Sequence, residues 1–236
     1  MRFSILVALI VPSMLQAQVW THEGKPAYVI ELFTSEGCSS CPPADQYLSQ
    51  YVEEDKLWEE YIPLAYHVDY WDYIGWKDRF AHPSYSQKQR LYRSYGVVNS
   101  VYTPGFVVNG AEWKGFFSYR TRTLPNIESH HSKPLQLTKD NYNYSVTFLG
   151  DGQYTAHIAW LAMDETTPVK RGENRGKNLK HNFIVVEKQQ KNGVENWRFE
   201  LNNRQPIAEI DAVVVWLTKL NNFVPVQTVG GWLNKP

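Results

Sequence analysis

Residues 27–45 read Ala27-Tyr28-Val29-Ile30-Glu31-Leu32-Phe33-Thr34-Ser35-Glu36-Gly37-Cys38-Ser39-Ser40-Cys41-Pro42-Pro43-Ala44-Asp45. The opening run is apolar and carries β-branched Val29 and Ile30, which reads as a short buried strand. Pro42 and Pro43 suit the first turn of a helix, where a missing N–H costs nothing. Beyond them Ala44, Tyr47, Leu48, Tyr51 and Val52 recur at helical spacing. The stretch is therefore a strand, a turn holding Cys38 and Cys41, and a helix. Unpaired backbone N–H groups and the positive dipole end at a helix start favour thiolate over thiol. The second cysteine falls one turn on, close enough to bridge. Such a pair can alternate between dithiol and disulfide, with Cys38 as the exposed attacking sulfur and Cys41 as the resolving one.

Outward from this stretch, residues 62–68 form a second strand pattern. Ser84 is placed to cap a second helix that runs through Tyr95 and ends at Gly96. Thr103-Pro104 leads into Phe106-Val107-Val108, and Asn109-Gly110 is a strong hairpin turn. A polar helix is expected between Ser118 and His131. The first half thus reads as βαβαββα with a mixed central sheet. Composition changes near residue 133. Strand patterns follow at 135–139, 145–148, 155–162, 182–188, 197–201, 212–218 and 224–228, with a long loop expected over 164–180. Closely spaced strands without helices argue for an all-β antiparallel, sandwich-like domain at 134–236, after an α/β domain at 18–133. Trp160, Trp197 and Trp216 lie on strand patterns and are expected in the sandwich core.

Residues 1–17 carry Arg2, an apolar run from Phe3 to Leu15 and a small residue, Ala17, which is the pattern of a secretory signal peptide. The run is short for a membrane span of about 20 apolar residues. The expected location is secreted or periplasmic, in an oxidising bacterial compartment, with no membrane association after cleavage. The chain has 236 residues with 24 Lys+Arg against 24 Asp+Glu. A neutral balance argues against nucleic acid as a partner. Two cysteines cannot build a disulfide scaffold or a four-cysteine zinc site.

Several motifs together carry a resemblance. They are the stretch from Glu31 to Asp45, His67-Val68-Asp69-Tyr70-Trp71-Asp72, Gly75-Trp76-Lys77-Asp78, Tyr102-Thr103-Pro104, Val108-Asn109-Gly110, the Gly172-Glu173-Asn174 loop and His181. They resemble the bacterial secreted proteins grouped as domain of unknown function 1223, a thioredoxin-like family. The resemblance implies a thioredoxin-like fold with an appended β region, and no established reaction. In thioredoxin-like folds a cis-proline faces the Cys-x-x-Cys pair, and Thr103-Pro104 matches that place. A cis bond there would leave the Thr103 backbone free to pair with a substrate chain.

Glu31, seven residues before Cys38, is a candidate proton acceptor for Cys41, although thioredoxins carry their acid six residues before the first cysteine. That offset by one can turn a strand side chain to the other face. Asp69, Trp71, Asp72 and Trp76 are the candidate substrate rim, since they follow the second strand where open α/β sheets bind ligands. The expected function is exchange of disulfides with protein thiols, which makes the chain a thiol-disulfide oxidoreductase served by an unidentified redox partner. No cofactor and no metal are expected. Two alternatives stand beside it. One is a binding protein with a structural disulfide. The other is a Cu or Zn metallochaperone using Cys38, Cys41 and His67. His130, His131 and His181 read as surface or loop residues.

Overall fold

The computed structural model describes residues 17–118, 122–126, 131–202 and 207–233. The export segment expected over residues 1–17 lies outside them except for Ala17. The described chain is mostly β-sheet with few helices, and no helix is long and apolar enough to cross a membrane. In chain order its elements are β1 (Gln18–Gly24), β2 (Tyr28–Thr34), α1 (Pro42–Ser49), β3 (Tyr61–His67), α2 (Pro83–Ser94), β4 (Gly105–Val108) and β5 (Ala111–Glu112). Then follow β6 (Ser132–Asp140), β7 (Asn143–Phe148), β8 (Tyr154–Ala162), β9 (Glu165–Pro168), β10 (Asn178–His181), β11 (Ile184–Gly193), β12 (Asn196–Glu200), β13 (Ala212–Lys219) and β14 (Pro225–Trp232).

After β1, a strand the expected order lacked, the first half follows the expected alternation from β2 to β5. β2 lies parallel to β3, from Tyr28 opposite Tyr61 to Thr34 opposite His67, and antiparallel to β4. Pro42 and Pro43 open α1. The second helix starts two residues earlier than a Ser84 cap implies. His82 is its N-cap, and the imidazole Nδ1 accepts from the Ser84 backbone N–H. Asn109 and Gly110 both have positive φ, 45° and 77°, which the two-residue turn between β4 and β5 requires. A side chain at Gly110 would also sit 2.6 Å from the Phe223 backbone, so this turn admits only glycine. Residues 122–126, inside the polar helix expected between Ser118 and His131, have no regular structure; residues 119–121 and 127–130 of that span lie outside the described residues.

Two features of the second half depart from expectation. Residues 164–180 are not a plain loop: β9 and β10 pair antiparallel, from His181 opposite Glu165 to Asn178 opposite Pro168. Glu165-Thr166-Thr167-Pro168 has no apolar alternation, so its pairing left no hydrophobic signature. Nor does the sheet stop near residue 133. One mixed sheet of eight strands runs β14-β13-β8-β11-β3-β2-β4-β5. Its two halves join where β11 meets β3 in parallel, Ile184 opposite Ala65, with the Ala65 N–H donating to the Phe183 carbonyl at 2.8 Å. β1 crosses the other way and forms the edge of an antiparallel four-stranded sheet, β1-β6-β7-β12. The change of composition near 133 marks where helices end, which is not where strand pairing ends.

The four-stranded sheet packs on one face of the large sheet. Leu137, Tyr144, Val146, Trp197 and Phe199 meet Ile158, Trp160, Val213, Val215 and Leu217 in one buried cluster. The alternate residues Ala159, Leu161, Val214 and Trp216 belong instead to the cluster around β2, β3 and β4. Trp216 therefore fills a different core from the one expected of it. Strands buried on both faces read as continuous apolar runs, which hides which side each residue serves.

Candidate functional site

The Cys38–Cys41 turn forms at the end of β2, where the chain leaves the sheet. The Cys38 N–H donates to the Ser35 carbonyl, and the Cys41 N–H to the Cys38 carbonyl. The two sulfurs are joined in a disulfide. Cys41, rather than Cys38, is the N-cap of α1, and Cys38 sits in the turn before it. Cys38 is also buried, at 1% exposure, while Ser39 and Ser40 are exposed. The cover comes from the tip of the β9–β10 hairpin. Asn174 Nδ2 donates to the carbonyls of Glu36 and Cys38, both at 2.9 Å. Glu173 Oε2 accepts from the Ser39 N–H at 3.0 Å, and hydrogen bonding from the Ser39 side chain first and its N–H second holds the carboxyl below the usual range. Asn174 is itself buried. Nothing local in the sequence links residues 173–174 to residues 36–39; only their shared membership of the resemblance pointed there.

The Thr103–Pro104 bond is cis, as expected. It precedes β4, which pairs Gly105 with Phe33, so Thr103 and Pro104 lie at the same sheet edge as the Cys turn. Trp71 connects the two: its Nε1 donates to Thr103 Oγ1 at 2.7 Å, and a side chain on Gly37 would meet the Trp71 Cβ at 3.0 Å. Trp76 Nε1 donates to Glu36 Oε2 at 2.7 Å. Asp72 Oδ1 accepts from the Asp78 N–H at 3.2 Å, and burial raises its carboxyl pKa. Asp69 accepts from the Ser86 hydroxyl. The four rim residues are half-buried; Trp71 and Trp76 reach the turn, while Asp69 contacts Ser86 on α2 and Asp72 the Asp78 N–H. Their polar atoms are already engaged in holding segment 69–78 in place.

Glu31 is turned away. Its Oε1 lies 2.9 Å from Lys88 Nζ, and its Oε2 accepts from the Tyr92 hydroxyl, both on α2. Thr34, an odd number of residues on, faces the opposite side and donates to Asp45 Oδ2 on α1 at 2.8 Å. The one-residue offset has thus placed Glu31 across the sheet from the helix that carries the Cys pair, and the expected role as proton acceptor for Cys41 does not fit that orientation. Glu31 also raises the Tyr66 and Tyr92 phenols, after burial.

On the α1 side a polar cluster is closed off from solvent. Asp78 Oδ2 accepts from His67 Nδ1 at 2.7 Å and from the Glu36 N–H at 2.9 Å. Burial opposes ionisation of Asp78, but His67 and the N–H groups of Glu36 and Phe80 outweigh it, so the carboxyl is held below its usual range. His181 is 2% exposed and is no surface residue. Burial alone would lower its pKa; hydrogen bonding and charge from Asp45 and Glu36 reverse that and push it up to about 10. Asp45, His67 and His181 could hold a cation, since atoms from all three lie within 4.8 Å of one another. His67 thus groups with a carboxylate and a second imidazole, and not with the two sulfurs.

A model of the family described as "Protein of unknown function (DUF1223)" matches residues 29–218. No curated protein matches the chain. Among solved structures, the crystal structure of protein AGR_C_4864 from Agrobacterium tumefaciens is similar, with a TM-score of 0.65 and 22% identity, covering 89% of this chain and 96% of that one. HBP35 of Porphyromonas gingivalis is similar with a TM-score of 0.54 and 12% identity, covering 91% of this chain and 77% of that one. Both likenesses are of fold.

Proposed function

The chain belongs to the family Protein of unknown function (DUF1223), and on that premise we propose that its Cys38–Cys41 pair exchanges disulfides with protein thiols in an extracytoplasmic compartment, on a thioredoxin-like arrangement of β2, α1, β3, α2, β4 and β5. The observation that carries the proposal is the joined Cys pair at the start of α1, beside the cis Thr103–Pro104 bond. The sheet order β3-β2-β4-β5, with only β3 parallel to β2 among β2's neighbours, supports the fold reading. In the reducing direction the Cys38 thiolate attacks a substrate disulfide and releases one substrate thiolate. The Cys41 thiolate then attacks Cys38 Sγ, closes the Cys38–Cys41 disulfide and releases the second substrate thiolate. Two electrons pass to the substrate, and a partner dithiol restores the pair. Run backwards, the same steps oxidise a substrate dithiol. Thr103 and Pro104 hold the substrate chain, and Trp71 fixes Thr103.

One observation favours a second reading. Cys38 is buried beneath Asn174, as a structural disulfide would be. Trapping separates the two. A Cys41→Ala variant should accumulate mixed disulfides on Cys38 that dithiothreitol releases, and Cys38→Ala should accumulate none. No adducts, together with lower thermal stability of both variants, would leave the disulfide as a staple only.

Exchange requires the hairpin tip to lift. Asn174→Ala removes two hydrogen bonds, each contributing about 0.5–1.5 kcal/mol. Reduction of the disulfide by a small phosphine should then speed up by roughly tenfold, since about 1.4 kcal/mol corresponds to that factor. Thiol labelling against time reads the rate; an unchanged rate would mean that the tip does not guard Cys38.

A further inference from the structure

Three segments distant in sequence bring side chains to one buried point next to the Cys turn. Asp45 comes from the first turn of α1, His67 from the end of β3 and His181 from the end of β10. On His67 and Asp45 one polar atom is secured from behind, while His181 faces two carboxylates beyond hydrogen-bond geometry. Asp78 Oδ2 holds His67 Nδ1 at 2.7 Å, which directs Nε2 inward. Thr34 holds Asp45 Oδ2 at 2.8 Å, which leaves Oδ1. Glu36 Oε1 faces His181 Nε2 at 3.5 Å, and His181 Nδ1 faces Asp45 Oδ1 at 3.9 Å. Among the described residues, His67 Nε2 and both nitrogens of His181 are buried without a hydrogen-bond partner. Leaving one such atom unpaired costs about 1–3 kcal/mol, and a cation at the point where they converge would remove that cost.

We propose that Asp45, His67 and His181 form a binding site for a divalent transition cation of the zinc class, with Asp78, Glu36 and Thr34 orienting the ligands. Two imidazoles and one carboxylate suit zinc better than calcium or magnesium, which favour all-oxygen shells. A carboxylate behind each ligating imidazole is the usual outer-shell arrangement, fixing ring orientation and raising basicity. The cysteines take no part, since they are bound to each other. The three ligand atoms lie within 4.8 Å of one another; around a cation with bonds near 2.0 Å they would close to roughly 3.3 Å, a movement that side-chain rotation can supply. The site would pin β10 to α1 and so hold the tip that covers Cys38. It is independent of whether the pair exchanges disulfides.

The test uses the oxidised full-length protein, stripped with a chelator and dialysed. Titration calorimetry with Zn2+ should give one site per chain, and Co2+ should give d–d absorption bands with no thiolate charge-transfer band. His67→Gln and His181→Gln should each weaken Zn2+ binding more than tenfold, and Asp78→Asn by about 10–100-fold. If a histidine variant fails to fold, Asp45→Asn serves in its place, and a rise of the wild-type melting temperature with Zn2+ gives a second readout. The proposal is overturned if the wild type takes up no stoichiometric metal, as when a protonated His181 simply pairs with Glu36 and Asp45. It is also overturned if uptake is indifferent to His67, His181 and Asp45.

Discussion

A Lys88→Ala variant is expected to lose about 3–5 kcal/mol of folding stability, the usual cost of removing one partner from a buried ion pair. Lys88 lies 2.9 Å from the buried Glu31 carboxylate, and its side chain is itself largely enclosed. Most of the loss comes from the stranded charge, not from the attraction. The double variant Glu31→Gln/Lys88→Met should therefore recover much of it. Lys188 supplies an internal readout: burial first and the charge of Lys88 second hold its ammonium down to about 7. Without Lys88 that value should rise. Urea midpoints at neutral pH rank the variants. A wild-type midpoint for Lys88→Ala would show that the Tyr92 hydroxyl alone suffices for Glu31.

Trp160→Ala should cost a similar amount, about 3–5 kcal/mol, through the cavity it leaves. Trp160 is fully buried and meets Tyr144 edge-on with ring centroids 5.2 Å apart. For a chain of this length the melting temperature should fall by roughly 6–20 °C. Trp160→Phe should lose less, because most of the volume stays. Since β8 serves both cores, the melt should remain a single transition. A biphasic melt would mean that the halves on either side of the β11–β3 junction unfold separately.

How far the sequence alone reached follows from the range of each signal. The strand–turn–helix around Cys38 was legible because an apolar run, two prolines and helical spacing all act within a few residues. Asn109-Gly110 was legible for the same reason, as was the cis bond through resemblance. Burial of Cys38 was not, because Asn174 lies far along the chain and no periodicity links it to residues 36–38. His181 was misread as a loop residue because its strand lacks an apolar pattern. Glu31 turned on a one-residue offset, and alternation along a strand settles a side chain's face only once the partners on both faces are known. The clustering of Asp45, His67 and His181 needs the parallel register of β2 and β3 together with the docking of β10, which are contacts between elements and leave no local trace.

The crossing of β1 into the other sheet has a consequence for how the chain comes together in time. Trp20 pairs with Leu137, and Val19 with Thr138. During synthesis the first strand emerges long before its partner and stays an unpaired edge until β6 arrives. Pairings of such separation in sequence slow folding and lengthen exposure of strand edges. The first half cannot finish before the second has begun, because β1 waits for β6. A chain truncated before β6 would leave β1 searching for a partner among its neighbours, and a chaperone that shields exposed edges would find a long-lived target there.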